Sequence, residues 1–329
     1  MGEKMKKNKR NAVLYKEMTV DIKKPKAMLI ILIVNLMLMP IALGFFIGMF
    51  AGGIAGNLSY RVLSWYFVAM TCTETMIISF LTPAMTAGTI SLEKERQTLD
   101  VLLTTRMTPW EIVKGKYLSV MVLIGLIVFS TLPMLSIVFI YGGISIFGVL
   151  IVLIELILLA AFIASIGVFF SALTKSTVVA VILSYVAIFA YMTVTLSFPY
   201  IIVGLIELFN VYIYEETSIM SEHLIFSDGF ALLGVFNPFT VIFDTLGKTV
   251  GYHFDFGYGD VFDCVGMSTI LGSILPHFTE ANILLKIWSV AGVFWEVLLT
   301  FLILRLSAVF VNPVKGKKRK TTVVKNRKA

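Results

Sequence analysis

Residues 88–116 read GTISLEKERQTLDVLLTTRMTPWEIVKGK. The stretch carries Glu93, Lys94, Glu95, Arg96, Asp100, Arg106, Glu111, Lys114 and Lys116, and long apolar runs stand on both sides of it. A turn between two packed helices usually needs only a few residues. A charged segment this long describes a structured element outside the hydrocarbon, and the runs beside it describe spans.

Working outward, the whole chain fits that picture. It is 58% hydrophobic and only 14% charged, where soluble domains average about 25% charged. Apolar segments long enough to cross a bilayer lie near 27–50, 62–90, 117–141, 147–173, 177–206 and 286–310. Each holds the ~20 residues that a helical crossing needs, far more than a barrel strand uses. Lipid offers no hydrogen bonds, so each run must close its own as a helix. The expected fold is an all-α integral membrane protein, a six-helix transmembrane bundle. The first run is too long for the h-region of a signal peptide and reads as a retained span.

Charge sets the topology. Of the 27 lysines and arginines, 24 fall before residue 27, in 91–116, at Lys175, or from Arg305 onward. Six spans put all of these on one side, which the positive-inside rule makes the cytoplasm. Both termini are then cytoplasmic: a basic N-terminus (1–26), a six-span transmembrane domain (27–310) and a basic tail (311–329). The net charge of +7 therefore flanks membrane and does not indicate nucleic acid. The segment 207–285 is the extracellular one between spans 5 and 6, and it is acidic. Its apolar part, 223–247, is interrupted by Asp228, Gly229, Asn237 and Pro238. It reads as short helices on or in the outer leaflet, or alternatively as one more pair of short spans. Leu14, Met18 and Ile22 recur at helical spacing with basic flanks. That pattern fits an N-terminal interfacial helix, or simply a basic flank that fixes orientation.

Within the charged element, Leu92, Leu99, Leu102 and Leu103 can share one helical face, with Arg96 and Asp100 as an i, i+4 pair away from it. The run breaks at Thr104-Thr105-Arg106-Met107. Thr108-Pro109-Trp110-Glu111 then has the form of a helix start: an N-cap, proline at N1 and a glutamate closing a capping box. Helix, sharp turn and helix make a lever that could pass on the motion of a docked partner. The same charges also fit a solvated, self-contained loop.

Residues 82–116, TPAMTAGTISLEKERQTLDVLLTTRMTPWEIVKGK, resemble the signature of type-2 ATP-binding-cassette (ABC) exporter permeases. Glu93, Lys94, Glu95, Arg96, Thr98, Leu99, Asp100, Leu102, Leu103, Thr104, Thr105, Glu111 and Lys116 match it. Residues 11–17 resemble the family's N-terminal interfacial helix. Leu92 and Gln97 stand where glycine is usual, and Arg106-Met107 replaces the usual proline and apolar residue. The resemblance implies that 91–116 is a cytoplasmic coupling helix contacting an ABC ATP-binding subunit. It implies a second permease copy or paralogue as a further partner, and export as the direction.

The chain has no G-x-x-x-x-G-K-[ST] loop to cradle phosphates. Gly247-Lys248-Thr249 imitates only its end. ATP and Mg are therefore expected on the partner ATPase; this chain is read as non-catalytic, with no cofactor or metal of its own. Cys72 and Cys264 have no zinc spacing. Glu74, Glu155 and Glu296 lie inside expected spans. A buried membrane carboxyl marks either a substrate path or a hydrogen-bonded packing contact. The competing reading is a stand-alone secondary transporter or channel using these glutamates, for which internal repeats would be expected and none is seen. A membrane-embedded enzyme would need a convergent catalytic set, and none is visible.

Overall fold

Long apolar runs close their backbone hydrogen bonds along their own axes, and each of the six expected spans meets a helix. The structure is a computed structural model that describes residues 25–51, 60–99, 108–136, 138, 144–213, 236–250 and 283–311. Its helices are α1 (Pro25–Ala51), α2 (Tyr60–Thr86), α3 (Gly88–Glu95), α4 (Pro109–Leu135), α5 (Ile146–Leu173), α6 (Thr177–Ile213), α7 (Pro238–Val250) and α8 (Ile283–Val311). Six of them are long and apolar enough to cross a membrane. No strand occurs among the described residues.

The most enclosed span is α5. It packs against α2, α3, α4, α6, α7 and α8. Its sequence is apolar on every side, as a helix surrounded by other helices must be. By contrast, α1 turns Leu32 and Leu36 outward, and α8 turns Phe294 and Phe301 outward. Such faces suit lipid.

Two apolar cores result. The larger runs through the bundle and includes Leu38, Phe67, Ile78, Ile127, Leu156 and Phe162. The smaller gathers Ile90, Leu99, Val113, Val168, Ala172, Leu304 and Val311, with Trp110 and Tyr117 packed on it. It joins the charged element to spans 3, 4 and 6.

Several expectations are adjusted. Span 3 and the capped helix are one continuous helix from Pro109. Span 2 ends at Thr86 and restarts, after Ala87, as α3. That second helix stops at Glu95, so Leu92 and Leu99 do not lie on one continuous helix; Leu102 and Leu103 lie outside the described residues. Leu92 is 40% exposed and Leu99, beyond the stop, only 8%. Residues 96–98 are not helical, and Asp100, the expected partner of Arg96, lies outside the described residues. In the segment between spans 5 and 6, α7 is a capped helix. At 1.5 Å per residue its length is about 20 Å, too short to cross a ~30 Å core. Residues 1–24, holding most of the expected interfacial helix, and the tail from 312 lie outside the described residues, as do 214–235 and 251–282.

Candidate functional site

The charged element begins where span 2 breaks. Pro83 stands in the last turn of α2, and the helix restarts one residue after Ala87 amide donates to the Pro83 carbonyl (2.9 Å). Gly167 of α5 makes the close approach possible. A Cβ there would lie 1.9 Å from Thr86 Oγ1 and 2.8 Å from Thr86 Cβ.

A restarted helix leaves its first amides without intrahelical acceptors, and Ala87 offers no side-chain cap. Ser171, on α5, supplies one from outside. Its hydroxyl accepts from the amides of Ile90 (2.8 Å) and Ser91 (2.9 Å). The other end of α3 acts in turn as a cap. The Glu95 carboxylate accepts from the Thr177 amide (3.2 Å) and from its hydroxyl (2.7 Å), at the first residue of α6. A carboxylate there also complements the positive end of the α6 dipole. Between these, Lys94 Nζ donates to the Ala172 carbonyl. Lys175 adds a repelling positive charge beside it. Glu93 pairs with Lys116 of α4 at 2.5 Å, both largely buried.

The helix then ends in a Schellman turn. Thr98 amide donates to the Glu93 carbonyl (2.9 Å) and Gln97 amide to the Lys94 carbonyl (3.1 Å). Gln97 has φ 58°, alone in positive φ among the described non-glycine residues. This is the C′ site, which glycine normally occupies. The chain returns at Thr108, whose hydroxyl accepts from the Glu111 amide (3.3 Å). The Glu111 carboxylate in turn accepts from the Thr108 amide (3.0 Å), completing the expected capping box. Trp110 sits under the Arg305 guanidinium, 4.3 Å from the ring centroid, so α4 is also fastened to α8.

The intramembrane carboxyls separate into two places. Glu74 accepts from Thr131 of α4 at 2.9 Å. Glu155 accepts from Thr245 of α7 at 2.7 Å, and Glu296 of α8 lies near it. Glu155 and Glu296 are 6% and 5% exposed.

Comparison with protein families matches residues 11–304 to the ABC-2 family transporter protein model. The chain belongs to the ABC-2 transporter family. It is an ABC type-2 permease subunit, a multi-pass membrane transport component. Comparison with curated proteins gives no match.

In this ABC-2 permease, the residues singled out by sequence fall into two groups. Glu93 and Lys94 are half-buried against the bundle and hold the element in place, and Glu95, though exposed, does so by capping α6. Arg96 and Thr98 are exposed, as is Glu111. Asp100, Leu102, Leu103 and Thr104 lie outside the described residues. Gly247-Lys248-Thr249 lies inside the last turns of α7, so it forms no loop before a helix and no phosphate cradle. Thr249 instead packs where Gly148 leaves room; a Cβ on Gly148 would be 2.3 Å from its methyl.

Sequence reasoning missed three anchors. Ser171 gave no signal, because a serine in an apolar span is ordinary. Thr177 stands at a recognisable helix start, but its carboxylate partner is 82 residues away. Asn237 was legible: Asn-Pro at a helix start is a cap followed by proline at N1. Its Oδ1 accepts from the Phe239 amide (2.9 Å), and its Nδ2 donates to the Met192 carbonyl (3.1 Å) and to Thr195 Oγ1 (2.8 Å). Thr73 and Thr75 do not bond across helices; each donates to the carbonyl four residues back.

Proposed function

We propose that this permease exports a substrate across the cell membrane, driven by ATP hydrolysis on a separate ABC subunit that docks against residues 91–116 from the cytoplasm. ATP and Mg belong to that subunit. A second permease copy or paralogue completes the transporter, and both termini face the cytoplasm. The observation that carries this reading is the bracing of α3. A loop that only joined two spans would not need its short helix capped by one span, capping another and salt-bridged to a third. A rigid element can pass a push to spans 3, 4 and 5 together.

The docking face is then the exposed set, Leu92, Arg96, Thr98 and Glu111. Glu93, Lys94 and Glu95 transmit the push to the bundle, and Leu99 transmits it through the smaller core. Glu74 is held by Thr131, and Glu155 is held in the same way by Thr245; with Glu296, these three are the candidate carboxyls for a polar path.

The test is affinity purification of the tagged chain from its native host in mild detergent, after gentle cross-linking in intact membranes. A stoichiometric ABC ATPase is expected with the wild type, and its loss with Arg96→Glu. A clean oligomer without any ATPase would overturn the reading in favour of a stand-alone transporter or channel.

A further inference from the structure

The break between α2 and α3 has two nearly balanced ways of satisfying its backbone. In the observed break, the Ile90 and Ser91 amides both go to Ser171 Oγ (2.8 and 2.9 Å). The carbonyls they would reach in an unbroken helix, those of Thr86 and Ala87, accept from Thr89 Oγ1 and Ser91 Oγ (each 2.7 Å). Straightening exchanges these for two backbone bonds, Ile90 to Thr86 and Ser91 to Ala87, and returns three hydroxyls to other partners. Neither arrangement leaves a buried backbone group unpaired, so the backbone hydrogen bonds alone give neither a decisive advantage.

We propose that residues 86–91 form a two-state hinge, with Ser171 as the latch that holds it bent. Three independent features place the hinge here. Pro83 lacks an amide and weakens the last turn of α2. Gly167 gives Thr86 a seat that any side chain would fill. Beyond the hinge, Glu95, Lys94 and Glu93 fasten α3 to the start of α6, the end of α5 and α4. A change of angle at Ala87 therefore moves span 2 against those three elements as a group. Ser171 is a positioning residue: it touches no substrate and acts by fixing the angle of α3.

The mechanical role of this hinge rests on the permease reading above, but its existence does not. The test uses the full chain alone in lipid nanodiscs, with Cys72 and Cys264 replaced by alanine. Spin labels go at Met76→Cys on the exposed side of α2 and Arg96→Cys at the end of α3, and, as a second pair, at Phe80→Cys and Arg96→Cys. Distances are read by double electron–electron resonance. Wild type and Ser171→Thr, which keeps the hydroxyl, are expected to share one dominant distance. Ser171→Ala is expected to raise the share of a second, longer distance about five-fold, the change that matches loss of a capping side chain. Thr89→Val, which vacates the Thr86 carbonyl, should shift the population in the same direction. It carries the test if Ser171→Ala does not fold. One unchanged distribution across all the folded variants would overturn the proposal. That result would leave ATPase co-purification untouched, and loss of co-purification would leave the distances untouched.

Discussion

Replacing Gln97 with glycine should stabilise the charged element. Gln97 occupies the left-handed region at φ 58°, where a Cβ crowds the backbone at a cost of roughly 1–2 kcal/mol. Glycine removes that cost but has more unfolded freedom to lose, which takes back about 0.5–1 kcal/mol. The net gain is on the order of 0.5–1 kcal/mol. It acts on the two Schellman hydrogen bonds that close α3, Thr98 amide to Glu93 carbonyl and Gln97 amide to Lys94 carbonyl. Local opening of that turn exposes both amides. Amide hydrogen exchange in nanodiscs, corrected for intrinsic rates, should therefore slow about two- to five-fold at Thr98, since 1.4 kcal/mol is tenfold. Gln97→Ala should leave the rate nearly unchanged, because alanine keeps the Cβ. Gln97→Val should accelerate exchange, because a β-branched residue fits positive φ worst. Faster or equal exchange in the glycine variant would refute the reasoning, since the strain it assigns to Gln97 would not exist.

Other consequences follow from the same junction. Gly167→Ala places a methyl 1.9 Å from Thr86 Oγ1 and should cost about 1–3 kcal/mol as overpacking, read as a lower thermal midpoint in detergent; adding Thr86→Ala should restore part of it. Thr108→Ala removes the cap of α4 and should cost about 1 kcal/mol, seen as faster exchange of the Glu111 amide. A double-mutant cycle on Glu93→Gln and Lys116→Met should give a coupling of about 1–2 kcal/mol, between the values for exposed and buried pairs; a coupling near zero would show that the pair does not brace α3. Asn237→Ala should loosen α7, with faster exchange at Phe239 and little change at Glu111, because the two caps serve opposite ends of α5's neighbours and share no partner.

The spans were legible because lipid leaves a long apolar run one solution. The capping box at Thr108 and Glu111 was equally plain, since its partners are three residues apart. The break between Leu92 and Leu99 was not, because periodicity continued across a stop that only backbone conformation reveals. Gln97 hid that stop: glycine would have announced it. Glu93, Lys94 and Glu95 looked like one charged docking surface, yet each has its own partner on the bundle.

Composition and local spacing by themselves determined that this is a six-span helical membrane protein with a charged, capped element between spans 2 and 3. Those properties depend on the solvent a segment needs and on hydrogen bonds closed within a turn or two, so they are written in neighbouring residues. Only the tertiary structure decided which groups hold that element and which remain exposed. Ser171 and Thr177 meet α3 across some 80 residues of chain. Gly167 matters because Thr86 lies against it. Contacts of that kind arise when helices already formed pack together, and helix spacing along the chain does not specify them.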